Sequence, residues 1–353
     1  MSKPVYLSTT KRLPFALDLP IIQAPMAGVQ GSAMAIAVSN AGGLGSIPCA
    51  MLTPDALRSE LQALQAGTTR PYNVNFFCHS PPEPDAARMQ AWMAALRPYH
   101  QELGIDPSTI STGPGRVPFD ATAAALLAEF RPAVVSFHFG LPTPALLAAA
   151  KAWGATVLSS ATTLAEAVWL EEQGVDVIIA QGLEAGGHRG LFLSDDLGTQ
   201  IDVRTLLRQI VAKVQCPVIA AGGLRHAADV QEMLDLGAAA AQVGSAYLLC
   251  PESTASAVHR AALQSPAAKD TALTNLFTGR PARGIVNRLM RELGPMSAAA
   301  PAFPLATGGI APLRAKAEAA GLGDFSPLWA GQNAWAARPM GAAELTLNLA
   351  GRL

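Results

Sequence analysis

ATVLSSATTLAEAVWLEEQGVDVIIAQGLEAGGHRG, residues 155–190, reads as strand, helix, strand and glycine-rich loop. Ala155–Ser160 and Val175–Gln181 are continuous apolar runs, the pattern of parallel strands covered on both faces. Between them Thr163 and Glu166 form a capping box that opens a helix carrying Val168, Trp169 and Leu170. Outward from this unit the rhythm recurs, with further candidate strands at Ile21–Met26, Gly43–Pro48, Tyr72–Phe77, Ala133–Phe139, Pro217–Gly222 and Ala239–Gly244. Asp202 caps a helix holding Leu206, Leu207, Ile210 and Val211, and a helix over Ala227–Leu236 stops at Gly237. Eight strand–helix repeats predict an α/β fold, a closed TIM (β/α)8 barrel. A doubly wound sheet is the alternative, since both folds are built from the same βα unit.

Two regions exceed the repeat. The third and fourth strands are separated by an insertion, about residues 79–131, with SPPEPD at 80–85 and a helix near Ala86–Gln101. The barrel is assigned residues 1–263. A tail, 264–353, contains GRPARG (279–284), an uncharged stretch (295–313) and a final helix; it is expected to fold over the catalytic mouth and, with the insertion, to form a smaller capping region.

The bulk chemistry excludes several classes. Net charge is -1 with no basic run, so no nucleic-acid partner is indicated. Leu19–Pro54 lacks charge, but glycines, Gln23, Gln30, Ser32, Ser39 and Asn40 interrupt it, so no membrane span is expected. The first fifteen residues lack the apolar core of a secretory signal. Cys49, Cys78, Cys216 and Cys250 are far apart without a C-x-x-C pair, which suits reduced thiols in a cytoplasmic protein and gives no metal site. The reading leaves room for a homo-oligomer.

Barrel enzymes carry their sites where strands end. The seventh strand ends in Gly222 and Gly223, the eighth in Gln242, Val243, Gly244 and Ser245. Two consecutive glycine corners there predict a phosphate cradle of backbone amides rather than simple tight turns. The sixth strand ends in Gln181, whose amide suits the edge of a flavin or nucleobase. Gly186 and Gly187 follow and let the backbone approach a flat ring. His188, held between glycines and beside Arg189, is the leading catalytic candidate, against the plainer reading of a surface-loop histidine. Glu184 reads as a solvated carboxylate. Pro25 and Met26 end the first strand and suggest backbone contacts to a flat ligand. Asn75 ends the third, where asparagine is also a common turn former. If Phe137 and Phe139 face the helices, His138 faces the barrel, as a site residue or as a buried structural histidine. His79, His100, His226 and His259 show no such context. No G-x-G-x-x-G fingerprint opens a helix, so a Rossmann domain is not indicated.

APMAGVQGSAMAIAVSNAGGLGSI (24–47), VVSFHFGLP (134–142), SSATTLAEAVWLEEQGVDVIIAQGLEAGGHRG (159–190), PVIAAGGL (217–224), GAAAAQVGSAYL (237–248) and GRPARGIVNRLM (279–290) together resemble the motifs of bacterial nitronate monooxygenases, once called 2-nitropropane dioxygenases. The resemblance spans roughly residues 19–332. It implies an FMN-containing barrel with a smaller cap. Asn75, Gln181, Gly186, Gly223 and the Gln242–Ser245 loop would contact FMN, with backbone contacts near Pro25 and Met26. His188 would sit over the flavin near the substrate, and His138 would line the site. The implied reaction oxidises alkyl nitronates with O2 to a carbonyl compound and nitrite, and in some members the histidine first deprotonates a neutral nitroalkane. The chain departs from the pattern at Phe303 and Ala311, where members carry a tyrosine and, eight residues on, a lysine that could meet a carboxylated nitronate. Two other readings compete. One is an NAD(P)H-dependent flavin reductase of the enoyl or quinone type on the same barrel. The other is a flavin-free barrel that binds a phosphorylated metabolite.

Overall fold

The computed structural model describes residues 11–106, 108, 110 and 116–353, so most of the N-terminal stretch read above, and part of the insertion, lie outside the described residues. Eight parallel strands form one sheet: β1 (Ile21–Gln23), β2 (Gly45–Pro48), β3 (Tyr72–Phe77), β4 (Val134–His138), β5 (Thr156–Ala161), β6 (Val177–Gln181), then, after the two-residue β7 (Gly187–His188) outside it, β8 (Val218–Ala221) and β9 (Ala240–Val243). The order is β1-β9-β8-β6-β5-β4-β3-β2, and a parallel bridge between Ile22 and Leu44 closes it into a barrel. The expected TIM barrel is therefore correct.

Side chains alternate as parallel strands require. Leu158, Val177, Ile179 and Ile219 fill the barrel interior with Ile22, Leu44 and Val134, and Leu13, Phe15 and Leu17 pack against them. Their neighbours Val157, Ile178, Ala180 and Val218 face outward into the larger core beneath the helices. Those helices are α1 (Ser32–Asn40), α2 (Pro54–Gly67), α4 (Ala121–Phe130), α5 (Pro144–Lys151), α6 (Leu164–Glu172), α7 (Val203–Lys213) and α8 (Ala227–Asp235), with α3 (Ala86–Glu102) inserted before α4. Asp202 caps α7 through the amides of Arg204 and Thr205, as expected. Only half of the predicted capping box forms. Thr163 accepts from the Glu166 amide at 3.2 Å, but the Glu166 carboxylate turns to the amides of Thr162 (2.6 Å) and Phe192 (2.7 Å), tying β5 to the loop beyond His188.

The insertion and tail build a second core. Trp92, Leu96 and Tyr99 of α3 pack with Leu276, Phe277, Ile310, Leu313 and Phe325. α9 (Ala257–Leu263) ends the barrel segment, and the tail supplies β10 (Thr271–Thr274), β11 (Ala282–Ile285), α10 (Arg288–Leu293), α11 (Thr307–Ala319) and α12 (Ala342–Leu349). Gly309 is where α11 crosses α3: a Cβ there would lie 2.7 Å from Leu96. The final helix departs from the expectation. α12 packs against α1 and α8 on the barrel exterior, burying Leu345 and Leu349 beside Leu19, Met34 and Val38. Its apolar face matches the gap between first and last barrel helices, so the chain returns to complete the outer ring rather than cover the mouth. No helix among the described residues is long and apolar enough to cross a membrane.

Candidate active site

The strands' C-terminal ends open into a cavity with about 1480 Å3 of empty space, solvent at its mouth included. The residues proposed from the sequence for catalysis and cofactor binding all line it: Pro25 and Met26 after β1, Asn75 on β3, His138 on β4, Gln181 on β6, Gly186, Gly187 and His188 on the following loop, Gly222 and Gly223 after β8, and Gln242, Gly244 and Ser245 at the end of β9.

β1 ends at Gln23, before the predicted Met26: Ala24 still donates to the Val243 carbonyl at 2.8 Å, and Pro25 and Met26 then leave the ladder to form cavity wall. At the far wall Gly222 (φ +128°) and Gly223 (φ +71°) adopt the left-handed backbone that favours glycine. Among the described residues, the amides of Gly223, Leu224, Ser245 and Ala246 donate to no protein acceptor. Two neighbouring corners thus present free N–H groups at the cavity wall. Arg225 stands beside them, paired with Asp229 at 3.1 Å. The Gln242 side-chain oxygen is buried in the same wall without a partner. Asn75 donates to Ser136 Oγ at 2.9 Å.

The loop carrying His188 is held from several sides. β7 pairs antiparallel with β11, Ala282 opposite His188. Gln181 was read as an edge for a flat ligand; here its amide donates to the His188 carbonyl (2.9 Å) and its oxygen accepts from Gly190 (2.7 Å), so both ends fix this loop. Arg189 turns away from the cavity and is fully buried, bonding the carbonyls of Gly182 (2.7 Å) and Gln181 (2.9 Å). Gly186 is also fixed by packing: a Cβ would lie 2.5 Å from the Gly331 amide, because the tail crosses there. Glu184, read as solvated, is half-buried and accepts from Val203 at 3.0 Å at the start of α7.

His188 Nε2 contacts Thr278 Oγ1 at 2.9 Å, and Thr278 donates to the Arg280 carbonyl at 3.4 Å. With its proton used there, Thr278 accepts from His188 Nε2–H, and the neutral imidazole keeps the Nδ1 lone pair free. Among the described residues Nδ1 has no partner. Burial first, then the cation of Arg116, holds His188 well below the usual histidine range. His138 is bonded on both ring nitrogens, to Ser160 Oγ (2.6 Å) and to the His188 carbonyl (3.3 Å), and burial pushes it down to about 3. It braces the loop from the cavity wall.

Around His188 the rings of Phe303 (5.3 Å), Trp329 (5.5 Å), Phe139 (5.9 Å) and Phe77 (6.1 Å) form a cage. Strict alternation along β4 would turn Phe139 toward the helices. The backbone turns left-handed there (φ +70°) as the chain leaves β4, and this swings the ring into the cage. Two histidines passed over in the sequence also belong here. His79 packs edge-on against Phe303 at 4.7 Å, and burial lowers it to about 4. His259 lines the cavity, bonded to the Trp329 carbonyl at 3.1 Å. His259 lies far beyond the last barrel strand, out of reach of the strand-end rule, whereas His79, two residues past β3, falls within its range and showed no distinguishing sequence context. Thr278 directly precedes GRPARG, and that motif was the available signal. Ala311 lies on the exposed side of α11, off the cavity wall.

The family model for nitronate monooxygenase matches residues 11–351. The chain belongs to the nitronate monooxygenase family. It is 43% identical to the nitronate monooxygenase of Pseudomonas aeruginosa over 94% of this chain and 95% of that one. Identity to the Paraburkholderia phytofirmans nitronate monooxygenase is 41%, over 94% and 92%. Among solved structures, a nitroalkane oxidase from Streptomyces ansochromogenes superposes with a TM-score of 0.88 at 38% identity, covering 96% of both chains. FabK from Thermotoga maritima, at 22% identity and a TM-score of 0.68, shares the fold. This nitronate monooxygenase family member is accordingly an oxidoreductase.

Proposed function

We propose that this protein binds FMN and oxidises alkyl nitronates with O2 to a carbonyl compound and nitrite, accepting neutral nitroalkanes after His188 removes the α-proton. One observation carries the reading: a neutral imidazole with a free Nδ1 stands in an aromatic cage, in the same cavity as two corners of unpaired backbone amides.

The residues fit the cofactor. The amides of Gly223, Leu224, Ser245 and Ala246, with Arg225, suit a phosphate dianion. The unpartnered Gln242 oxygen and the Asn75 amide suit the polar edge of a flavin, and Pro25 and Met26 give a flat, apolar wall. When bound, FMN supplies the electron chemistry that side chains lack. The protein's part is positioning. Thr278 sets the tautomer, so that Nδ1 can take a proton from a carbon acid. His138 and Gln181 hold the His188 backbone, and the cage keeps water from the reacting atoms.

His188→Ala is expected to purify with a full complement of flavin and to lose about 10²- to 10⁴-fold in kcat on a neutral nitroalkane, the usual worth of a general base. Normal turnover in that variant would defeat the assignment. The reductase alternative on the same barrel is separated from this one by the choice of reductant, as described at the end of the Discussion.

A further inference from the structure

Three arginines stand at the cavity wall or close to His188, and they differ in what balances their charge. Arg225 pairs with Asp229. Arg280 stacks on Phe139 at 4.1 Å, bonds the Leu191 carbonyl, and feels Asp195 and Glu166. Arg116, from the β3–β4 insertion, has no such compensation. It is half-buried on the cavity wall, its guanidinium 5.6 Å from the centroid of Phe303, the ring that also packs on His188. One terminal nitrogen donates to Thr307 Oγ1 at 3.3 Å, while Nε is buried with no partner. Its charged neighbour is another cation, Arg314, which pairs with Glu318 instead. Arg116 forms no ion pair among the described residues, and residues 1–10, 107, 109 and 111–115 contain neither Asp nor Glu. Among the described residues no carboxylate lines the cavity.

Burying a guanidinium without a counter-ion is costly unless something brings one. The nearby imidazoles do not, being neutral or cationic. We propose that Arg116 is the anion receptor of this site, and that its counter-ion is a two-oxygen anionic group of the substrate. A nitronate and a carboxylate both present two oxygens on one atom, the shape that a guanidinium fork engages through two parallel N–H bonds. Arg116 thus supplies the positive charge that neutral His188 lacks, and it does so from the insertion rather than from α11. This rests on the proposed nitronate chemistry for the identity of the anion, but not for its existence.

Two substrates of equal length separate the sources: an alkyl nitronate, and a nitronate ending in a carboxylate. In Arg116→Met, kcat/KM is expected to fall roughly tenfold to a hundredfold, the range of a charge-assisted bond, mainly through KM. Loss on both substrates places the guanidinium on the nitronate group. Loss confined to the carboxylated one places it on the tail. Arg116→Lys, which keeps the charge, restores part of the loss in either case, as a purely structural role would not. Losses below about twofold on both substrates, with flavin content and Tm unchanged, would overturn the proposal. Calorimetry of propanoate binding to the flavin-loaded protein is the independent readout. Weaker binding in Arg116→Met upholds the anion site even if no nitronate is turned over, in which case the functional reading alone fails. Equal binding by both proteins, together with unaltered kinetics, removes the site.

Discussion

Thr278→Val removes one hydroxyl from a buried position while keeping the side chain's shape. In the wild type that oxygen accepts from His188 Nε2–H at 2.9 Å and donates to the Arg280 carbonyl. With valine there, a buried N–H would be left without an acceptor, at a cost of about 1–3 kcal/mol. The imidazole escapes that cost by moving its proton to Nδ1, which faces the cavity. The base-competent tautomer therefore becomes the minor one, by a factor of about 5 to 150 for the same energy. On a neutral nitroalkane, whose carbon must lose a proton, kcat/KM is expected to fall by about that factor. On the preformed nitronate, which needs no deprotonation, the change stays within about threefold. Steady-state oxygen consumption on both substrates gives the ratio, flavin absorbance shows that the cofactor is retained, and Thr278→Ser recovers the activity. Equal losses on the two substrates, or none on the nitroalkane, would refute the tautomer argument.

The glycine corner makes a separate prediction. Gly223→Ala forces a side chain into φ +71° and brings its Cβ to 3.1 Å from Glu184, so flavin affinity is expected to drop at least about tenfold in a fluorescence titration. Gly174→Ala, also at positive φ (+80°) but in open space, carries similar strain and leaves flavin binding unchanged. Acid stability follows from the buried imidazoles. His79 and His259 take a proton near pH 6.5 when unfolded but only near 4 when folded, because burial disfavours the charged form. Between those values the unfolded chain binds more protons. The stabilisation is therefore complete above about pH 6.5 and is lost as pH falls toward 4, at up to about 1.4 kcal/mol per pH unit per imidazole. In urea melts across that window, His79→Phe is expected to flatten the pH dependence by one proton; an unchanged slope would show that His79 is not held neutral.

The barrel and the cavity wall were legible because both obey local rules. Continuous apolar runs such as Val177–Gln181 mark doubly covered strands, and the residue ending each run must face the rim. That rule located His188, Gln181 and both glycine corners. It was silent on Thr278, Trp329 and Arg116, which reach the site from the insertion and tail through pairings such as β7 with β11. Contacts of that kind depend on chain segments 90 residues apart, as His188 and Thr278 are, and no local periodicity records them. The same limit explains Gln181 and Gly186. Residue type singled them out, but only the fold shows that a loop bonds one and a crossing backbone packs on the other. For α12 the apolar face was readable, whereas its destination between α1 and α8 was not.

The nature of the reductant bears most directly on the whole account. Under anaerobic conditions the purified protein is mixed separately with an alkyl nitronate and with NADPH or NADH, and its flavin absorbance is followed in a stopped-flow instrument. The account predicts fast bleaching by the nitronate and little by either nicotinamide. Fast bleaching by NADPH or NADH with an inert nitronate, or protein that takes up no flavin at all, would contradict it.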